Sequence, residues 1–191
     1  MSLIRLIVGL GNPGSDYSNT RHNAGFWFVD ELANKYKTNL ANESKFFGVL
    51  GKFKYKNRDI YLLKPQTYMN LSGKSVLALA NFYKILPSEI IVIHDELDFA
   101  PGVARFKLGG GNGGHNGLKN IDSVIGKDYF RLRLGIGHPG DRNKVADYVL
   151  KKPLLNEKIL IDNSIDKALN VSDLLLSGDI STATKHLHSN S

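Results

Sequence analysis

A near-continuous apolar run, Leu3 to Leu10, stops abruptly at Gly11-Asn12-Pro13-Gly14. A strand with no polar face has to be covered on both sides, which is the condition of a central strand with helices packed above and below it. The sequence that follows supplies the covers. Phe26, Val29, Leu32, Ala33 and Tyr36 recur at helical spacing, and helical periodicity returns between Ser72 and Ile85. Residues 46–54 and 59–64 are β-rich runs separated by Lys56-Asn57-Arg58, which predicts a hairpin. Ile90 to His94, Arg105 to Leu108 and Phe130 to Ile136 read as further short strands. From about Pro153 onward Leu155, Ile161, Ile165, Ala168, Leu169 and Leu176 outline one long amphipathic helix, and the polar tail from Ser181 is expected to fray. Strands alternating with helices argue for an α/β architecture, and 191 residues without a repeat or linker argue for one domain.

Charge narrows the partners. Twenty-five Lys and Arg against eighteen Asp and Glu leave a formal charge of +7, which favours a polyanion such as nucleic acid. With no cysteine there is no disulfide, thiol nucleophile or thiolate metal site. No segment approaches the ~18 apolar residues of a membrane span. The N-terminal run is too short for a secretion signal and reads as a buried first strand. The expectation is a cytoplasmic protein without membrane contact.

Gly9-Leu10-Gly11-Asn12-Pro13-Gly14 satisfies the G-x-G-x-x-G pattern of dinucleotide-binding folds. The pattern needs a helix to open on its second glycine, aiming N–H groups at a pyrophosphate. Here Ser15 to Thr20 is turn-rich, and Asp30 and Glu31 lie inside a helical pattern rather than at the end of a second strand. A tight glycine turn at a strand's carboxyl end fits better, and that is also where α/β proteins place functional loops.

Four loops carry amide or titratable side chains: Asn12-Pro13-Gly14, Tyr68-Met69-Asn70, His94-Asp95-Glu96 and Gly114-His115-Asn116-Gly117. Thr20-Arg21-His22-Asn23 forms a fifth such segment. Of the six histidines, His186 and His188 fall in the tail, His138 in a Pro-Gly turn, and His94 at the end of an apolar strand, where a packed role is expected. His22 and His115 lie in polar, glycine-flanked segments, where burial for packing is less natural. No G-x-S-x-G elbow and no H-E-x-x-H zinc motif is present. Adjacent His94, Asp95 and Glu96 on a strand would point to opposite faces, which argues against a metal site. What remains is water attack assisted by a neutral histidine, with a carboxylate such as Asp95 holding its tautomer and asparagine amides available for a developing oxyanion.

Residues 109–117 contain six glycines, a costly run to order unless a bulky or phosphate-bearing ligand must approach the backbone. Arg105, Lys107 and Lys119 flank it, and Arg131 and Arg133, two apart on a strand, share one face where they fit phosphate binding.

The stretches LIVGLGNPGSDYSNTRHNAGFWFVD, KPQTYMNLSGKSV, HDELDFAPG, RFKLGGGNGGHNGLK and RLRLGIGHPG, in that order along the chain, resemble the bacterial peptidyl-tRNA hydrolase family. The resemblance implies a monomeric single domain over residues 1–191, with a twisted, mostly parallel mixed sheet surrounded by helices. It implies hydrolysis of the ester between a peptide, or N-blocked amino acid, and the tRNA 3′ end, without metal or cofactor. His22 resembles the family's general base and Asp95 the residue that stabilises its basic form. Asn12 resembles the position that distinguishes blocked from free aminoacyl-tRNA. Tyr17, Tyr68, Asn70 and Asn116 resemble contacts to the tRNA 3′ end and its peptide, and Met69 and His115 resemble pocket-lining residues. Lys107 and Arg133 resemble a basic clamp for the 5′ phosphate, with Arg131 nearby. Asn112 occupies a variable place in the glycine loop, and Tyr68 stands where other members carry Phe.

The residues and the resemblance converge on one mechanism: His22 takes a proton from water, Asp95 orients it, Asn70 or Asn12 stabilises the oxyanion, and Asn116 holds substrate or water. Peptidyl-tRNA is the expected partner, with the stalled large ribosomal subunit as a further candidate. Two other readings follow from the sequence, a nucleotide-dependent oxidoreductase resting on G-x-G-x-x-G and a non-catalytic RNA-binding module resting on charge and the glycine loop. Dinucleotide binding would distinguish the first from an ester hydrolase, and ester cleavage the second.

Overall fold

The computed structural model describes residues 3–189. The strands are β1 (Leu6–Gly9), β2 (Ala41–Glu43), β3 (Gly48–Tyr55), β4 (Arg58–Pro65), β5 (Ile90–Glu96), β6 (Ala104–Leu108) and β7 (Phe130–Gly135). They form one sheet in the order β2-β3-β4-β1-β5-β7-β6. The centre is parallel, with β1 between β4 and β5 and β7 beyond β5, while β2–β3, β3–β4 and β6–β7 pair antiparallel. The apolar run at the N-terminus is the middle strand, and Leu6, Ile7 and Val8 are buried on both faces as its composition requires.

Helices α1 (Ala24–Lys35), α2 (Ser72–Tyr83), α3 (Asn116–Ile125), α4 (Val145–Val149), α5 (Leu155–Asn170), α6 (Ser172–Leu176) and α7 (Ile180–Ser189) surround the sheet. Phe28, Val29 and Leu32 of α1 and Ile161 and Ile165 of α5 pack with Ile7, Ile91, Ile93 and Leu132 on one face. Val76 and Leu79 of α2 and Leu118 and Ile121 of α3 pack with Leu6, Val8, Leu63 and Val92 on the other.

Several expectations need correction. The single long helix outlined from Pro153 to Leu176 is two helices, α5 and α6, interrupted at Val171, and α7 follows after Gly178, whose φ of +90° lies in the glycine-favoured region. Among the described residues the tail does not fray: Ser181 to Ser189 belong to α7, where Ala183 and Leu187 are buried, while 190–191 lie outside the described residues. His188, expected to be idle, accepts a hydrogen bond from the backbone N–H of Phe106 at 3.0 Å on strand β6. Strand β2 carried no sequence signal because all three of its residues are exposed. The hairpin turn is the two residues Lys56 and Asn57, both at positive φ as a twist-matched two-residue turn requires, and Arg58 already opens β4.

Helix α1 crosses β1 at backbone distance. A Cβ on Gly25 would fall 2.4 Å from the Ile93 carbonyl oxygen and 2.5 Å from the Leu10 nitrogen, and one on Gly9 would fall 2.2 Å from the Gly25 oxygen. The first and second glycines of the G-x-G-x-x-G pattern are therefore used differently from a nucleotide fold: Gly9 and Gly11 admit the helix and the Phe26 ring, and α1 starts only at Ala24. Gly25→Ala should cost about 3 kcal/mol or more in urea denaturation, because both obstacles are backbone atoms. Gly111→Ala, where a Cβ meets nothing within 4 Å, should leave the midpoint nearly unchanged.

Candidate active site

The carboxyl ends of β1, β4 and β5 lie at the same end of the sheet, and the loops leaving them carry the candidate groups. Asn12 follows β1, and Asp95 is the penultimate residue of β5. Tyr68, Met69 and Asn70 follow β4, the last two inside the 3-10 turn Met69–Leu71. His22 sits in the 3-10 turn Arg21–Asn23 that leads into α1, on one face of the sheet, and His115 immediately precedes α3 on the other.

Asp95 joins the two faces. Its Oδ2 lies 2.8 Å from His22 Nδ1 and its Oδ1 lies 2.8 Å from His115 Nε2. The direction of these bonds follows from the far side of His115, whose Nδ1 accepts the Gly117 and Leu118 N–H groups at 3.1 and 3.3 Å and so caps α3. An acceptor Nδ1 leaves the proton on Nε2, so His115 donates to Oδ1. Oδ2 then receives the Nδ1 proton of His22, which leaves His22 Nε2 unprotonated in the neutral form. Burial pushes the Asp95 carboxyl up, but the two imidazoles outweigh it and hold it well below the usual carboxylate range. For His22, burial alone would lower the pKa; the charge and hydrogen bond of Asp95 overcome it and raise the imidazole above its ordinary 6.5. His94 points to the opposite face, is packed as expected and donates from Nδ1 to the Asp95 carbonyl at 2.8 Å. Burial and then the neighbouring His115 push it down to about 3, so it is neutral.

Asn12 is 7% exposed and held at three points. Its backbone N–H donates to Asn23 Oδ1 and its carbonyl accepts from Asn23 Nδ2, both at 2.9 Å, while its side-chain Oδ1 accepts the Met69 N–H at 2.7 Å. With that oxygen occupied, the Nδ2 group is the free, outward donor of the amide. Asn23 was not singled out as a site residue. It reads as an ordinary helix cap before an apolar helix, yet its side chain caps no helix N–H and is spent on Asn12 instead.

His22, Asp95 and His115 line a crevice of about 460 Å³, whose other walls include Leu97, Asn116, Val145, Ala146 and Val149. Asn12 and Asn23 open on a neighbouring groove of about 400 Å³ with Phe26 and Gln66. Tyr68 and Asn70 are exposed, and Tyr68 meets Tyr17 edge to face at 6.2 Å between ring centroids. Met69 is buried rather than open to the pocket, beneath Gly117. His138 bonds locally, accepting the Gly140 N–H at 2.9 Å, while also lining the crevice.

The basic residues divide into two groups. In register across the strands stand His94, Arg133 and Arg105 on one rung and Val92, Arg131 and Lys107 on the next, all directed to one face. Lys107 is exposed and Arg133 half-buried, its guanidinium 4.8 Å from the Phe99 ring centroid. Arg131 does not join them as a phosphate ligand. It is 1% exposed, donates to the carbonyls of Gly110 and Gly111, and pairs with Asp122 at 3.5 Å. It braces the glycine loop from beneath, a role that strand alternation alone does not reveal.

His22, Asp95 and His115 bring nitrogen and oxygen atoms within 4.8 Å of one another, close enough to surround a cation. The protons already account for this spacing, since both carboxylate oxygens are engaged by imidazole N–H groups and His115 Nδ1 by the start of α3. A cation there would have to displace one of them. Asp95→Asn should drop the His22 pKa below 6.5 in an imidazole NMR titration, since only the lowering effect of burial would remain; an unchanged titration would contradict the pairing.

The family profile described as peptidyl-tRNA hydrolase matches residues 6–191. A peptidyl-tRNA hydrolase of Proteus mirabilis is 56% identical over 191 residues, covering 99% of this chain and 98% of its own. One of Yersinia enterocolitica is also 56% identical, with 99% and 97% covered. The crystal structure of the Acinetobacter baumannii peptidyl-tRNA hydrolase superposes with a TM-score of 0.96 at 52% identity, covering 99% of this chain and 96% of that one. With the sheet, the crevice and these likenesses in agreement, the chain belongs to the peptidyl-tRNA hydrolase family.

Proposed function

We propose that this protein hydrolyses the ester linking a peptide, or N-blocked amino acid, to the 3′ end of tRNA, with His22 as general base. The observation that carries the role of His22 is its pairing with Asp95, a buried carboxylate whose other oxygen is taken by His115. Asp95 takes the Nδ1 proton and α3 occupies His115 Nδ1, so Nε2 of His22 is the basic nitrogen that a water molecule in the crevice can meet. The water oxygen attacks the ester carbonyl carbon as its proton passes to Nε2. The tetrahedral oxyanion then collapses, and the ribose hydroxyl leaves with the proton held by His22. Asp95 stabilises the imidazolium between the two transfers without itself becoming protonated.

Asn12 fits two tasks with one group. Its Nδ2 can donate to the carbonyl oxygen as charge develops there. With its Oδ1 already accepting the Met69 N–H, the amide turns its Nδ2 donor to the substrate, which favours an acylated amine, whose carbonyl can accept, over a free α-ammonium, which can only donate. Asn70, which is exposed, and Asn116, at the crevice wall, position the terminal nucleotide and the peptide beside Tyr17 and Tyr68. The apolar wall of Leu97, Val145, Ala146 and Val149 suits the side chains of the peptide. Lys107 and Arg133 carry the 5′ phosphate, with Met69 and His115 supporting the pocket from within. No helix among the described residues is long and apolar enough to cross a membrane. Our reading extends to a cytoplasmic monomer that acts on free peptidyl-tRNA and on peptidyl-tRNA of stalled large ribosomal subunits.

The test is release of tRNA from N-acetyl-aminoacyl-tRNA beside its unblocked counterpart, for wild type and His22→Ala, in EDTA. Cleavage confined to the blocked ester and reduced about 10²–10⁴-fold in the variant is expected. Near-normal turnover by His22→Ala would remove it as the base, and loss of activity in EDTA would reinstate a metal. In the wild type kcat/KM should rise with pH through a pKa above 6.5, since the raised pKa of His22 keeps it protonated and inactive on the acid side. Lys107→Ala should weaken tRNA binding at all sequences and lower the slope of log K against log salt by about one contact's worth.

A further inference from the structure

Arg21, the residue before the proposed base, is 6% exposed, and its side chain points away from the reacting groups. Its backbone N–H donates to the Lys151 carbonyl at 3.0 Å. Its guanidinium lies 3.8 Å from the Tyr148 ring centroid, donates to the Tyr148 carbonyl at 3.0 Å and pairs with Glu157 at 3.0 Å. The same Glu157 oxygen accepts the Leu154 N–H at 2.8 Å at the start of α5, and Tyr148 donates from its hydroxyl to the Ile136 carbonyl at 2.7 Å. The bonds to Tyr148 and Lys151 hold the end of the segment that supplies His138, Arg142, Val145, Ala146 and Val149 to the crevice, and Glu157 ties the same guanidinium to the start of α5.

Apart from these bonds the wall is held by Val149 in the core and by Val145 and Tyr148 packed in part against it. Helix α4 is five residues long, far below the length at which a helix persists without tertiary contacts, and only Val149 within it is buried. A planar, buried guanidinium stacked on one ring and donating along its fork is the interaction suited to fixing such a segment in one orientation.

We propose that Arg21 is a positioning residue: it clasps the wall formed by residues 142–149 to the turn that carries His22, and so sets the width of the crevice that takes the peptide part of the substrate. The inference rests on the crevice being the peptide site. It assigns to one side chain a link between the base and the opposite wall, so that both move together or not at all.

The experiment compares wild type, Arg21→Gln, Arg21→Lys and Glu157→Gln by hydrogen exchange and by steady-state kinetics on N-acetyl-aminoacyl-tRNA and on a tRNA ester bearing a longer peptide. In Arg21→Gln the amides of 138–152 should exchange about tenfold faster or more, the equivalent of losing a hydrogen bond to a charged group, while those of β1 and β5 keep their wild-type rates. KM for the longer peptide should rise about tenfold, kcat should change by no more than about threefold, and the pH profile should not move, because Asp95 and not Arg21 sets the His22 titration. Arg21→Lys, which keeps the charge but not the fork, should recover only part of the protection. Glu157→Gln retains an acceptor for Arg21 and should show the same local pattern at smaller size. Should Arg21→Gln fail to fold, Glu157→Gln carries the comparison. Unchanged exchange in 138–152, exchange that rises equally throughout the sheet, or a loss confined to kcat with a displaced pH profile would each overturn the clasp. A wild type that releases no tRNA would instead overturn the hydrolase reading and leave the exchange result standing.

Discussion

A buried carboxylate with both oxygens taken by imidazoles is the interaction on which the site depends. Removing an anion of this kind from water costs several kcal/mol unless its lone pairs are satisfied. Asp95 satisfies that demand from two directions, one histidine arriving ahead of α1 and the other ahead of α3, from opposite faces of the sheet. Because the start of α3 has N–H groups without helical partners, it draws on His115 Nδ1, and that fixes the His115 tautomer which faces Asp95. The ionised carboxylate, which can only accept, makes His22 donate from Nδ1 and leaves its Nε2 basic.

The backbone geometry that allows this is equally constrained. Asp95 ends the strand beside β1, and His22 can meet it only if α1 lies directly on that pair of strands. Gly9 and Gly25 make the approach possible, since a methyl group on either would overlap a backbone carbonyl oxygen, at 2.2 and 2.4 Å. Asn23 then consumes both polar groups of the Asn12 backbone, so the residue after His22 fixes the amide on one side while the residue before it, Arg21, is spent on the other wall. Three consecutive residues, Arg21, His22 and Asn23, thus bind three separate parts of the chain.

Much of this was legible in the sequence, and the exceptions have physical causes. The central strand, both crossover helices, the hairpin and the location of His22, Asp95, Asn12 and His115 in loops at one end follow from apolar runs and punctuation, because those signals are local. Where side chains spend their hydrogen bonds is not local. Asn23 looks like a cap and does not cap, and His115 looks like a loop histidine and does. Arg131 and Arg133 share a face, as their spacing dictates, yet the glycine loop folds over one and leaves the other half open. Helices α5 and α6 merge in the sequence because both carry apolar residues at helical spacing across Val171, and α7 is missed because only Ala183 and Leu187 of its mostly polar residues are buried. The family resemblance located residues that composition could not, but it said nothing of what holds them.

The same division bears on how the formal charge of +7 should be understood. Net charge is often taken as a measure of attraction for a polyanion, but two of the most deeply placed cations, Arg21 and Arg131, face inward and are neutralised by Glu157 and Asp122. They cannot steer a tRNA. Cations less deeply placed include those on the outer rungs of β6 and β7, where Arg105 stands beside Arg133 and Lys107 beside Arg131, with Arg133 one strand away from His94. Burial makes the charge on Arg133 harder to hold, with Glu96 opposing it and the flanking Arg105 and Arg131 adding to it. The two arginines of β7 therefore stand in different surroundings, Arg131 spent on the glycine loop and Asp122 and Arg133 half-buried beside Phe99, so that neutralising one need not disturb the other.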